Sequence, residues 1–140
     1  MSWNRWSTLR PMRPILAILV LIALLAFPAQ DVQAVQRVAL VMGNGAYRQV
    51  PMLANPRADA EAMAAALERL GFDVELGVDL DLAGMRRAVR DFSRKLQGAN
   101  MALFFYAGHG LQVHGQNYLL PVDAVLESEA DLDFAALPAR

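Results

Sequence analysis

The chain has 140 residues, of which 56% are hydrophobic and 19% charged, and its formal net charge is −1. This length supports one small domain, and the near-neutral charge argues against the strongly basic surface of a nucleic-acid-binding protein. The sequence contains no cysteine, which excludes disulfides and any thiol nucleophile within these residues.

Residues 1–34 are predicted to be a secretory signal peptide. Basic residues precede an uninterrupted apolar run at residues 15–27, and Val32 and Ala34 stand at the spacing of a cleavage site. The alternative is an uncleaved membrane anchor, but the run is shorter than the roughly 20 residues that span a bilayer. We therefore expect an exported protein, periplasmic or secreted, with residues 35–140 as its domain and no stable membrane association after cleavage.

Strand-like and helix-like segments alternate after this leader. Residues 37–42 are a continuous apolar run, which predicts a central strand that ends at the turn 43–45. A helix is predicted to begin after Asn55 as its N-cap, with Pro56 at the first helical position, and to end at Gly71.

The second strand and helix follow directly. Residues 72–78 alternate in polarity, which predicts an edge strand. The second helix is predicted to be capped by Asp81 and to end at Gly98, with its arginines on a solvated face. The apolar face of the edge strand is predicted to consist of Val74, Leu76 and Val78.

The third strand is predicted over residues 101–107, the most apolar run after the leader. Residues 111–122 suit a hairpin, and residues 127–134 suit the start of another helix. This alternation predicts an α/β fold with a parallel sheet, right-handed crossovers and helices on its faces. No strand is predicted after residue 122, so we expect a sheet that is incomplete at the C-terminus.

The carboxyl ends of parallel strands share one edge of a sheet, where ligands bind. Segments 43–47 and 108–110 both follow strands, so we expect them to meet there. His109, between two glycines, is the candidate catalytic acid or base, and the alternative is a structural imidazole that caps a turn. The glycines favour function because they allow close approach of a substrate and let the Gly110 amide face a developing oxyanion.

Further candidates lie near the same edge. Asn44 and Gly45, in the turn after the first strand, are predicted to contact the substrate. Asp59, in the first turn of the first helix, could accept an Arg or Lys side chain of a substrate, although the helix dipole alone also explains a carboxylate there. Asp123 is interpreted as a cap of the following turn, and His114 as a surface residue.

Nucleotide and metal sites are disfavoured. A glycine-rich turn after a first strand can cradle a pyrophosphate, but Arg48 occupies the third glycine position and the helix is delayed until Pro56. His109 and His114 lack the helical spacing of a zinc site. We therefore predict no cofactor and no metal.

Five blocks of sequence carry a family resemblance: residues 37–47 (RVALVMGNGAY), 53–60 (LANPRADA), 70–72 (LGF), 104–110 (FFYAGHG) and 117–124 (NYLLPVDA). In this order they resemble the caspase-like peptidases, in particular the bacterial metacaspase relatives. The resemblance implies a caspase-like three-layer sandwich, with a mostly parallel sheet between helices.

The same resemblance implies a cysteine endopeptidase with a Cys and His dyad, acting on peptides or proteins. It makes His109 the general acid and base, Gly110 the donor of half of the oxyanion hole, and Asp59 an acid of a pocket for a basic P1 residue. Cleavage after Arg or Lys is therefore expected. The family usually has Asn before that acid, where this chain has Ala58, a departure that affects the shape of the pocket.

The nucleophile is the larger departure. In caspases it lies roughly 50 residues beyond the histidine, whereas 31 residues follow His109 here. We expect the chain to be the N-terminal part of a longer domain, or the product of a truncated gene, and to be inactive alone. The alternatives are a non-catalytic caspase-like module that binds a peptide or partner protein and, disfavoured by the first loop, a nucleotide-binding domain.

Overall fold

The computed structural model describes residues 35–139, so the predicted signal peptide lies outside the described residues. A parallel sheet has the strand order β2-β1-β3. Its strands are β1 Arg37–Gly43, β2 Asp73–Val78 and β3 Met101–Ala107, and the crossovers are helices α1 Pro56–Arg69 and α2 Leu82–Lys95.

A smaller antiparallel sheet follows, with the order β4-β5-β6. Its strands are β4 Gly110–Val113, β5 Gln116–Leu119 and β6 Leu137–Ala139, with a 3-10 turn at Glu129–Asp131 and the short helix α3 Leu132–Ala135 before the last strand. Among residues 35–139, no helix has the length and apolar character needed to cross a membrane.

Strand β1 is the centre of the core, because both of its faces are covered. Ala39 and Val41 pack with the buried side chains of α1. Leu40 and Met42, on the opposite face, pack with Met85 of α2. All four β1 side chains are fully buried, as expected of a strand in a sheet covered on both sides. The predicted α/β fold with helices on both faces is confirmed.

The predicted capping residues and terminal glycines lie at the helix ends, but only one of the two N-cap side chains forms a capping hydrogen bond. The Asp81 carboxylate accepts a hydrogen bond from Gly84 N (2.6 Å), so it caps α2 as predicted. Asn55 occupies the N-cap position of α1, but its side chain makes no capping hydrogen bond. Gly71 follows α1 with φ +81°, and Gly98 follows α2 with φ +89°, a region that glycine adopts without steric cost.

Two details of the predicted elements are wrong. Strand β6 was not expected after residue 122. Its three residues are all apolar, so they show no alternation of polar and apolar side chains, and the strand forms through pairing with β5. The helix predicted over residues 127–134 is only a 3-10 turn and one turn of α-helix. The predicted edge strand is confirmed, because β2 is an outer strand of the sheet; Leu76 of its apolar face is 44% exposed there.

Candidate active site

The carboxyl ends of β1 and β3 meet at one edge of the sheet, as predicted. Asn44 N donates to Ala107 O (2.9 Å), which joins the turn after β1 to the last residue of β3. The loop at residues 44–55 passes this edge before α1 begins. Segments that are far apart in sequence therefore form one site.

The imidazole of His109 lies against this loop and is half-buried. Its Nε2 is 2.8 Å from Pro51 O, and its ring centroid is 4.7 Å from that of Tyr47, with the planes tilted by 51°. A carbonyl oxygen can only accept, so a hydrogen bond here requires a proton on Nε2; in the neutral imidazole, Nδ1 then carries the lone pair that can accept a proton. An imidazole held in one tautomer is suited to general acid and base chemistry.

The main chain of His109 is also fixed. Its N–H donates to the Tyr47 hydroxyl (2.7 Å), and its carbonyl accepts from Leu120 N (3.0 Å). The Tyr106 hydroxyl lies 3.0 Å from the same carbonyl. Burial and the hydrogen bond with Tyr47 raise the pKa of Tyr106, so this hydroxyl stays neutral and able to donate.

Gly110 begins β4 with its amide directed away from β5. The bond from Leu120 N to His109 O makes these two residues a hydrogen-bonded pair. Gly110 and Leu119 are the next pair in the antiparallel register. Hydrogen-bonded and non-bonded pairs alternate in such a ladder, so the Gly110 N–H points to the open side of β4. The role of this amide as an oxyanion donor stays a prediction.

Asp59 lies in the first turn of α1 and is exposed. Within residues 35–139 its carboxylate forms no ion pair, whereas Arg57, two residues earlier, pairs with both Glu61 and Asp79. A charged group of a substrate can therefore reach the Asp59 carboxylate. Its assignment to a P1 pocket stays a prediction.

The structure corrects the interpretation of Asn44. The residue is fully buried, its Nδ2 donates to Leu120 O (3.1 Å), and its Oδ1 accepts from Leu80 N (2.9 Å). Asn44 therefore joins β1 to the segments that follow β2 and β5, and a substrate does not reach its amide. Gly45 lies at the wall of an open cavity, but its N–H donates to Asp79 Oδ1 (2.8 Å).

That cavity has a volume of about 390 Å³ and lies where β1 and β2 end. Asp79 is its anionic residue: Oδ1 accepts from Gly45 N and Ala46 N, and Oδ2 accepts from Arg57 (2.8 Å). Burial alone would raise the pKa of Asp79, but these hydrogen bonds and the guanidinium outweigh it and hold the pKa below its ordinary value. The carboxylate thus fixes the start of the loop that contacts His109.

The sequence patterns did not indicate that Asp79, Pro51 or Tyr106 belongs to the site. Asp79 could have been found from the rule applied to His109, because it follows β2 at the carboxyl edge. No comparable signal exists for Pro51, because the contribution is made by a main-chain carbonyl.

The remaining candidates have structural positions. The His114 side chain is 88% exposed and lies 3.4 Å from Glu129, which confirms a surface position. Asp123 accepts from Leu82 N (3.0 Å) at the start of α2; its interpretation as a cap of the adjacent turn is wrong, because its partner belongs to a distant helix. Residues 35–139 contain no group of three or more His, Cys, Asp or Glu side chains placed to bind a metal.

Comparisons with known proteins identify the family of this chain. Residues 36–137 match the family model of the caspase domain. The chain is 39% identical over 88 residues to the human mucosa-associated lymphoid tissue lymphoma translocation protein 1, a match that covers 63% of this chain and 11% of that protein. The mouse homologue is 36% identical over the same length and coverage. The matched segment therefore spans about a tenth of these relatives.

Proposed function

The chain belongs to the caspase domain family, and from this premise we propose that it supplies the histidine half of a cysteine endopeptidase site that cleaves after Arg or Lys. One observation carries the proposal: the His109 ring lies at the carboxyl edge of the sheet with Nε2 bonded to Pro51 O. The Nδ1 lone pair is then the acceptor for the proton of a thiol.

In the proposed reaction, His109 takes the proton from a cysteine thiol at Nδ1 while the sulfur attacks the carbonyl carbon of the substrate. The resulting imidazolium is stabilised by its Nε2–H bond to Pro51 O and gives its proton to the amine as the C–N bond breaks; water then hydrolyses the thioester and restores the thiol. The Gly110 N–H stabilises the negative charge that develops on the carbonyl oxygen. Asp59 receives the basic side chain of the substrate.

The thiol must come from polypeptide outside these 140 residues, because the sequence contains no cysteine. We therefore propose that the chain alone binds a peptide but does not hydrolyse it. This property allows binding and catalysis to be tested separately.

Binding is tested with a nitrogen-15-labelled chain titrated with a short blocked peptide that ends in Arg, and with the same peptide ending in Asp. We expect the Arg peptide to shift the amide signals of His109, Gly110 and Asp59. We also expect it to bind about tenfold more tightly than the Asp peptide, because it gains one charge-assisted hydrogen bond. Asp59→Asn should remove this preference. Glu68→Gln, an exposed carboxylate of the same helix, is the matched control and should retain it.

Catalysis is tested with the longest natural polypeptide that contains this sequence, assayed on fluorogenic Arg and Lys peptides. Hydrolysis that disappears in His109→Ala supports the peptidase. If that polypeptide contains a cysteine and still cleaves neither peptide, the proposed activity is wrong.

A non-catalytic peptide-binding module is the second candidate, favoured by the absence of cysteine from the sequence. It predicts the same peptide-induced shifts in the chain, without turnover in the longest natural polypeptide. The two candidates therefore differ only in the second experiment.

We also propose that the protein is exported and is of the bacterial metacaspase type. The basic and apolar segments of residues 1–34 support export. The amino-terminal sequence of the mature protein tests it: a start at residue 35 is expected, and a retained Met1 would contradict cleavage.

A further inference from the structure

We propose that Tyr47 and Tyr106 are positioning residues for His109, whose paired hydroxyls hold its main chain so that the imidazole and the Gly110 amide face the same substrate. This inference rests on the proposed function, because it assigns these tyrosines a part in that site.

Tyr47 contacts His109 in two ways. Its hydroxyl oxygen accepts the His109 main-chain N–H at 2.7 Å, and its ring packs against the imidazole at a centroid distance of 4.7 Å. The Tyr47 side chain is 4% exposed, so the packed core around it fixes the position of the hydroxyl. Both the main chain and the ring of His109 are therefore held by one rigid side chain.

Tyr106 completes the arrangement from β3. Its hydroxyl lies 3.1 Å from the Tyr47 hydroxyl, 3.0 Å from His109 O and 2.8 Å from Leu120 O. Each hydroxyl has one proton and two lone pairs, so the two protons are shared among the two hydroxyl oxygens and the two carbonyls. Because the Tyr47 oxygen already accepts from His109 N, the pair links the N–H and the C=O of the same residue.

Gly108 makes this contact possible. A Cβ built on it would lie 2.5 Å from the Tyr106 hydroxyl and 2.6 Å from the Tyr47 hydroxyl. The two hydroxyls therefore lie directly over the main chain of the residue before His109, in space that any other residue would occupy. The hydroxyl pair contacts both the N–H and the C=O of His109, and it also contacts Leu120 O, at 2.8 Å from Tyr106 and 3.4 Å from Tyr47.

The same loop holds the ring. Tyr47 and Pro51 both belong to residues 44–55, and Pro51 O bonds to His109 Nε2. A shift of the His109 main chain would turn the imidazole away from this carbonyl and move the adjacent Gly110 N–H. Misplacement by about 1 Å in a site of this kind reduces rates on the order of a hundredfold.

The test uses the 140-residue chain and needs no proteolysis. In Tyr47→Phe, which keeps the ring and deletes the hydroxyl, we expect the His109 amide hydrogen to exchange about tenfold faster, the ratio for loss of one hydrogen bond. We also expect the nitrogen-15 shifts of the His109 imidazole to move toward a mixture of tautomers, a change that a general loss of stability would not produce.

Two further variants complete the design. Tyr106→Phe leaves the Tyr47 acceptor in place, so we expect a smaller increase in His109 amide exchange, roughly threefold; this variant decides the question if Tyr47→Phe does not fold. Tyr118→Phe, whose hydroxyl donates to Asp133 (3.2 Å), is the matched control and should leave both His109 signals unchanged.

The proposal is overturned if Tyr47→Phe folds and the His109 amide and imidazole signals match those of the parent chain. It is equally overturned if Tyr118→Phe changes them as much. Neither readout requires a substrate, so the two proposals can fail separately. If Tyr47→Phe alters the His109 signals but the parent chain binds no peptide, only the proposed function is refuted. If the parent chain binds the peptide but Tyr47→Phe leaves the His109 signals unaltered, only the positioning role is refuted.

Discussion

Single positions of the active-site segment are constrained by contacts with distant residues, and Gly108 shows this most directly. Two tyrosine hydroxyls occupy the space of its missing side chain. Gly108→Ala is therefore expected to lower the free energy of unfolding by about 3 kcal/mol, through overpacking and backbone strain. Urea denaturation followed by circular dichroism measures this change.

Gly115→Ala is the matched control, because Gly115 also has positive φ (+79°) but a Cβ there would meet no atom within 4 Å. We expect a loss of about 1 kcal/mol from backbone strain alone. Equal losses in the two variants would show that the tyrosine hydroxyls do not require glycine at residue 108.

Elements of the sheet are joined at their carboxyl ends by side chains, and Asp79 joins the end of β2 to the loop after β1. Its folded-state pKa lies below the ordinary 3.8, so the carboxylate stabilises the fold above that value, and the stabilisation is lost as pH falls through the folded-state pKa. Asparagine also tolerates the φ of +50° found at Asp79, so Asp79→Asn removes the charge without straining the backbone. We expect a loss of about 1 kcal/mol at neutral pH that disappears in acid, measured by urea denaturation at several pH values.

Asp73→Asn is the control at the other end of β2, where an exposed carboxylate pairs with Lys95 (3.1 Å). Exposed ion pairs contribute less than about 1 kcal/mol, so we expect little change at any pH. A loss in Asp79→Asn that is the same at neutral and acidic pH would show that the charge of Asp79 is not what stabilises the loop.

Protection from hydrogen exchange is expected to be uneven across residues 35–139. Residues 38–42 of β1 are fully buried and β1 is paired on both sides, whereas β2 and β3 are the outer strands of the described sheet. Met101 and Phe104 of β3 are 51% and 46% exposed. We expect hydrogen exchange of β1 amides to require global unfolding, and every second β3 amide, directed away from β1, to exchange roughly a hundredfold faster. Uniform protection of β3 would instead indicate that another copy or segment pairs with it.

Much of this architecture is encoded locally, in patterns that a short window contains. The apolar run of β1, the apolar spacing of α1 and the Asp81 cap predicted their elements because burial and capping act on neighbouring residues. Strand β6 could not be predicted in this way, because its three residues form a strand only through pairing with β5.

The sequence by itself determined the alternation of strands and helices, the edge at which His109 lies and the absence of a thiol. Only the tertiary structure decided which groups touch at that edge: Pro51 O on the imidazole, Tyr47 on the His109 amide, and Asp79 on the loop instead of an accessible Asn44. The physical reason is the separation in sequence between the residues that interact. Periodicity reports which face of an element is buried, whereas hydrogen bonds between loops depend on how distant segments are brought together by packing on β1.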